Sequence, residues 1–306
     1  MFYRNMVLPS IRGIFIPLFI LIVLLDLEFP LLRSILQLPS LLAKSGSGPF
    51  PGQDLPILKK VVQSEIIVVG KIQHLENDLL LLKAYSEAKE NTPFQIATLK
   101  VEKNLLGLKN ETHLRIGWPI NINIGRRVLS PGPFTIGQKG CFFLVKYPDQ
   151  DFYFAQQLTS PLRDDSPSYK EDIEEIKKIV KVLNEPSKAL AAKTAAERSQ
   201  AINILLNKYS SEPQQLPKGK KLVRKPIDPA ESKLILTILA EMEWKVKNEN
   251  ILALELFYKL GVEGEIHWAE PKFTTVEEYR NKMKLISKKW LQENKESYRI
   301  KKWVVE

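Results

Sequence analysis

The stretch Phe94–Gly107 (Phe-Gln-Ile-Ala-Thr-Leu-Lys-Val-Glu-Lys-Asn-Leu-Leu-Gly) constrains the fold of this chain more than any other. Its apolar residues recur every second position, the period of a strand. The phase changes partway: Phe94 and Ile96 share one parity, whereas Ala97, Leu99 and Val101 share the other. A β-bulge switches the face of a strand and bends it enough to close a small barrel. We therefore expect one long, bent strand with a bulge at the switch.

Further β-type segments flank it. Glu65–Ile72 is rich in β-branched residues and apolar on both parities, as a strand covered on both faces should be. Gly70 inside it marks a bulge or the close approach of another backbone. Leu79–Leu82, Thr112–Trp118, Cys141–Tyr147 and Phe152–Gln156 complete a set of short strands. Turn chemistry at Asn77-Asp78, Leu106–Asn110, Ser130–Pro133 and Pro148–Asp151 separates them. Five or six such strands fit a small Greek-key β-barrel of the OB type over residues 61–162.

Three of these segments also carry a resemblance. Ile67–Lys71, Ala97–Gly107 and Ile136–Val145 resemble successive landmarks of TIMP-like (netrin-module-like) OB barrels. The chain after Lys60 is further similar to exported bacterial proteins that join such a barrel to a helical C-terminal region. Asp228–Leu236 and Trp290–Ile300 carry that second likeness. The resemblance implies a fold and not an activity. The metalloprotease inhibitors of the family chelate zinc through an N-terminal cysteine, and no cysteine stands near the start here. Cys141 is the single cysteine, so no disulfide within the chain and no Cys-based zinc site is possible. Its apolar surroundings point to a buried small hydrophobe.

The N-terminal 44 residues read as a signal or anchor segment. Arg4 and Arg12 precede the uncharged apolar run Gly13–Leu25, a basic flank and apolar core typical of export signals. The run is shorter than the roughly 20 residues that span a bilayer, and no small-residue cleavage site stands close behind it. We expect an N-terminal hydrophobic helix that tethers the chain, with cleavage and release as the alternative. By the positive-inside tendency, the chain beyond this run would lie outside the cytoplasm. Residues 45–60, with Ser45–Gly52 rich in Gly, Ser and Pro, read as a linker.

After a composition shift at Arg163–Ser168, residues 163–306 read as an all-α domain with HEAT-like helix pairs. Ser168-Tyr-Lys-Glu171 has the form of a capping box, and Asn184-Glu-Pro186 ends the helix it opens. Lys188–Tyr209 comes next as a second helix. Asp228-Pro-Ala-Glu231 is a strong start signal, Gly261 a helix C-cap, and Thr274-Thr-Val-Glu277 opens the last helix. The expected class is therefore α+β.

The formal charge of +10 is spread as +3 over residues 1–60, +2 over 61–162 and +5 over 163–306. A nucleic-acid-binding module gathers its charge on the binding domain; this barrel region is nearly neutral, which disfavours that partner. Lys218, Lys220, Lys221, Arg224 and Lys225 form a basic segment in Ser210–Pro226, read as a loop suited to an anionic surface such as phospholipid or wall polymer. On the barrel, Trp118 with Arg126 and Arg127 is the candidate contact for a protein or glycan partner. His74, His113 and His267 lack metal-ligand spacing, and no nucleophile elbow, phosphate loop or dinucleotide fingerprint occurs. No catalytic residue, cofactor or metal is assigned. The expectation is an exported or membrane-tethered, non-enzymatic binding or scaffold protein. The alternatives are a protease inhibitor with a non-cysteine wedge and an oligonucleotide-binding OB protein.

Overall fold

A computed structural model describes residues 55–83, 90–120, 122–124, 127–129, 134–155, 160–213, 216–242, 244, 252–262 and 275–306. All of them belong to one compact unit, Gly52–Glu306. The apolar run Gly13–Leu25, with the rest of the signal or anchor segment, lies outside the described residues. No helix among the described residues is long and apolar enough to cross a membrane.

The protein is mixed α+β. Among the described residues its main sheet has seven strands: β1 (Ile66–Leu75), β2 (Leu80–Lys83), β3 (Asn91–Leu106), β4 (His113–Pro119), β7 (Lys139–Lys146), β8 (Tyr153–Ala155) and β9 (Leu162–Arg163). β1 pairs with both β3 and β7, so the order runs β1–β3–β4–β8–β7 and returns to β1. Every pairing along this path is antiparallel except β4 with β8. A short ribbon, β5 (Ile122–Ile124) with β6 (Arg127–Leu129), stands apart.

β3 is the long strand expected, at 16 residues, but its change of phase is not a bulge. Its register with β4 is unbroken from Phe94↔Pro119 to Lys100↔His113. The strand keeps its alternation and is buried on both faces at once. Ala97 and Leu99 join one core with Val68, Ile72, Ile116, Trp118 and Phe142. Phe94 and Ile96 join another on the opposite face with Tyr147, Phe152 and Phe154. The irregularities that bend the β1–β3 pair lie elsewhere, where the register leaves Leu105, Glu102 and Gln73 unmatched.

The helices are α1 (Ile57–Gln63), α2 (Tyr169–Asn184), α3 (Pro186–Leu190), α4 (Ala195–Ser210), α5 (Pro229–Glu241), α6 (Leu252–Lys259) and α7 (Val276–Asn294). α1 crosses the expected linker boundary at residue 60; Lys60, Val61 and Val62 in it are buried. Its last turn is tied down by the Lys208 Nζ, which donates to the Val62 carbonyl at 2.8 Å. A cation at a helix C-terminus satisfies carbonyls that have no partner within the helix. Burial holds the Lys208 ammonium below its ordinary pKa. A third core joins α1, α2 and α4 to the outer side of β1 and β7 through Val61, Ile67, Phe143, Ile176, Val180 and Ile204.

Two helical expectations change. Ser168 has helical backbone angles (φ −86°, ψ −1°), so its hydroxyl caps no backbone N–H and donates instead to Asp172 Oδ2 at 2.8 Å. The expected helix Lys188–Tyr209 divides into α3 and α4. The capping box stands at the break, with Thr194 accepting from the Glu197 N–H and Glu197 reaching back to Thr194. The region is also not all-α. β10 (Leu222–Pro226) and β11 (Lys301–Val305) form an antiparallel ribbon, where the sequence reads as a Lys- and Pro-rich loop and a chain end. α4 packs against α1, α2, α3, α5 and α6. That central helix differs from a HEAT-type array, in which each repeat touches only its neighbours.

Candidate functional site

The residues marked as binding candidates on the sheet do not converge. Trp118 is 4% exposed, and its ring packs on Phe134 at 5.1 Å between centroids. As the last inward-facing residue of β4 it is part of a core and not an exposed contact. Arg126 lies outside the described residues. Arg127 opens β6, with its backbone opposite Ile124.

The outward-facing side of β1, β3 and β4 is polar where helices do not cover it. By strand alternation Lys71, Thr98, Lys100, His113 and Arg115 stand on it. Arg115 and His113 on this side are committed to neighbours. Arg115 Nε and Nη2 donate to both oxygens of Glu76 at 2.6 and 2.7 Å. That hydrogen bond holds the Glu76 carboxyl below the ordinary range. His113 is bonded through one ring nitrogen to Gln73 at 3.1 Å and through the other to Thr112 at 3.1 Å.

β2 presents a different surface. Leu80 and Leu82 turn inward onto the Phe94–Phe152–Phe154 core. Leu79 and Leu81, of the opposite parity, are 49% and 66% exposed. The strand pairs with β3 from Leu80↔Phe94 to Lys83↔Asn91. The Tyr147 hydroxyl, which donates to the Lys83 carbonyl at 2.9 Å, pins its far end. Its other edge pairs with no strand among the described residues. Exposed apolar side chains along a strand edge are a liability that proteins ordinarily blunt with charge, proline or a bulge. No sequence signal distinguished these two leucines from Leu80 and Leu82, because all four are apolar.

The basic segment is ordered. Lys218 and Lys220 lie in the approach to β10, Lys221 extends the ribbon, and Arg224 and Lys225 are within it. Lys221 and Glu306 exchange backbone hydrogen bonds of 2.8 and 2.9 Å, continuing the register. Arg224 lies over the Trp303 ring at 4.7 Å, and Lys225 pairs with the Glu306 carboxylate. All five cationic side chains are exposed.

Other reactive groups are taken up by structure. Cys141 is fully buried, and desolvation pushes its thiol up to about 12, which removes thiolate chemistry at neutral pH. No cluster of three or more His, Cys, Asp or Glu that could hold a metal occurs among the described residues. A groove of about 280 Å³ between β3 and α2 is lined by Leu105, Lys177, Val180, Lys181, Asn184 and Glu185, and Lys177 in it is already paired with Glu174. No protein-family model matches the chain, and no curated protein sequence matches it.

Proposed function

We propose that this chain is a non-catalytic binding protein, held at the outer face of a membrane by its N-terminal segment, whose barrel engages a protein partner at the free edge of β2. The observation that carries this reading is the pair of Leu81 on β2 and Leu79 just before it, two-thirds and half exposed beside a strand whose second edge pairs with no strand among the described residues. An extended peptide added at such an edge gains main-chain hydrogen bonds, and alternate side chains meet the exposed leucines. A protein partner suits this surface better than a glycan, since sugar recognition favours an exposed aromatic platform and Trp118 is buried.

The wiring of the sheet supports an OB-type barrel. A ring of five strands in which only the third and fifth run parallel (β4 and β8 here) is the Greek-key order of that architecture, with β2 added outside it. The oligonucleotide alternative draws less support. The polar face of β3 and β4 offers no exposed aromatic for base stacking among the described residues, and Arg115 is neutralised by Glu76.

A photo-crosslinking residue in place of Leu81, introduced in the full chain in its native cells, tests the reading. A discrete adduct with one protein is expected, abolished by Leu79→Lys and missing from a control probe in place of Leu285 on α7, which is 69% exposed. The same diffuse products from both positions would overturn it. A reporter fused after Gly52 and found inside the cytoplasm would overturn the tethered part separately.

A further inference from the structure

The ribbon β10–β11 lies outside the barrel and is not needed for the partner contact above, yet it gathers more cationic side chains than any other pair of strands among the described residues. No Asp or Glu occurs from Pro213 to Ile227 or from Ser297 to Val305. The register Leu222↔Val305 to Pro226↔Lys301, extended by Lys221 opposite Glu306, sorts the side chains into two faces. One face carries Lys221, Val223 and Lys225 from β10, with Glu306, Val304 and Lys302 opposite them from the end of the chain. The other carries Leu222, Arg224 and Pro226 with Val305, Trp303 and Lys301, and Arg224 lies over the Trp303 ring. Arg224 is further confined by Gly261, where a Cβ would meet its Nη1 at 2.4 Å.

The first face holds an unfavourable feature for a free surface. Lys225 and Lys302 are direct cross-strand partners, and like charges directly opposite destabilise a strand pair. The Glu306 carboxylate offsets Lys225 alone. A layer of negative charge against this face would attract both lysines and offset the repulsion between them. Between the lysines lie Val223 and Val304, both partly exposed. Basic side chains alternating with small apolar ones suit a lipid headgroup layer better than a single-stranded nucleic acid, which is held on stacking surfaces. The ribbon's aromatic ring is on the opposite face under Arg224.

We propose that the face carrying Lys221, Lys225 and Lys302 docks on the anionic phospholipid headgroups of a membrane, laying the chain along the surface to which it is tethered. This rests on the tethered reading for the proximity of that membrane, and names the surface on the chain that meets it.

The test uses the full chain with Lys218→Cys carrying an environment-sensitive dye; buried Cys141 stays unlabelled in the folded protein. The dye is read against vesicles of phosphatidylcholine alone and of phosphatidylcholine with phosphatidylserine. Expected is a blue shift on the anionic vesicles only, with about tenfold or greater preference, lost in about 0.5 M salt as expected for screened basic segments. Lys221→Gln, Lys225→Gln and Lys302→Gln together should abolish the preference, and Arg at the same three positions should keep it. Equal dye response on both vesicles, or an unchanged response in the triple Gln variant, overturns the proposal. Competition by inorganic polyphosphate without any vesicle preference also overturns it, by assigning the face to soluble phosphate. Co-sedimentation reads the tether independently: a chain that sediments with neutral vesicles while the dye stays silent keeps its anchor and loses this proposal.

Discussion

Gly70 shows how one missing side chain sets a path for three strands. It pairs with Val101 of β3 on one side and with Gly140 of β7 on the other, next to a register shift in β1–β3. A Cβ there would lie 2.4 Å from the Lys100 carbonyl oxygen, which is backbone and cannot rotate away. Gly70→Ala should therefore cost about 3 kcal/mol by overpacking. Urea unfolding would show it as a lower midpoint at unchanged slope, and a midpoint equal to that of the parent would refute the close approach. The Glu76–Arg115 pair makes a smaller, pH-dependent contribution. Its partners are 32% and 40% exposed, so solvent screening holds its worth to about 1 kcal/mol or less. The sign comes from the lowered Glu76 pKa: the stabilisation is present above the unfolded carboxyl value of about 4.3 and disappears as pH falls through the lower folded value. Parent and Glu76→Gln should thus differ at pH 7, converge progressively below about pH 4, and differ less in high salt.

Among the elements, those whose signals are local were legible, and those depending on distant partners were not. Asp228-Pro-Ala-Glu opens α5 as its sequence demands: Asp228 Oδ1 accepts from the Ala230 and Glu231 N–H groups at 2.9 and 3.0 Å, with Pro229 at the first helical position. Asp228→Ala should cost about 1 kcal/mol, and Asp228→Asn far less, measured by the urea midpoint. Equal losses would place the effect in the charge rather than the cap. β1, β2, β4, β7 and β8 fall close to the segments their β-branched and aromatic runs mark, since burial on a sheet selects those residues. The β10–β11 ribbon was illegible for the opposite reason. Lys and Pro have poor strand propensity, and the pairing that overrides it joins Leu222 to Val305, far apart in the chain. Likewise the two-faced burial of β3 reads as a bulge in sequence, because a change of parity does not reveal whether the strand moves or a second core arrives. Trp118 was misplaced for want of Phe134 beside it, a contact across chain separation that no periodicity encodes. The exposure of Leu81 depends on the parity of β2 in the sheet, which a run of four leucines does not encode.

At the scale of the molecule, the sheet and helices do not behave as beads on a string. Ile176 of α2 is fully buried in a core that also takes Ile67 from β1, Phe143 from β7, Val62 from α1 and Ile204 from α4. Lys60, wholly buried beneath the same cluster, donates to the Ser160 carbonyl at 3.1 Å and sits 5.5 Å from the centre of the Phe143 ring. Burying that cation is a cost, which its hydrogen bond and ring contact offset in part and the apolar surface shared by sheet and helices outweighs. Cooperative unfolding is the consequence of that shared core: the fluorescence of a dye attached to the sheet and the helical signal should be lost together in urea. Ile176→Ala removes buried methylenes at the junction and should cost about 3 kcal/mol. If the junction couples the two parts, the variant moves both signals to a common lower midpoint. Were the sheet and helices independent, Ile176→Ala would shift the helical signal alone and leave the transition of the sheet-bound dye where it stands in the parent.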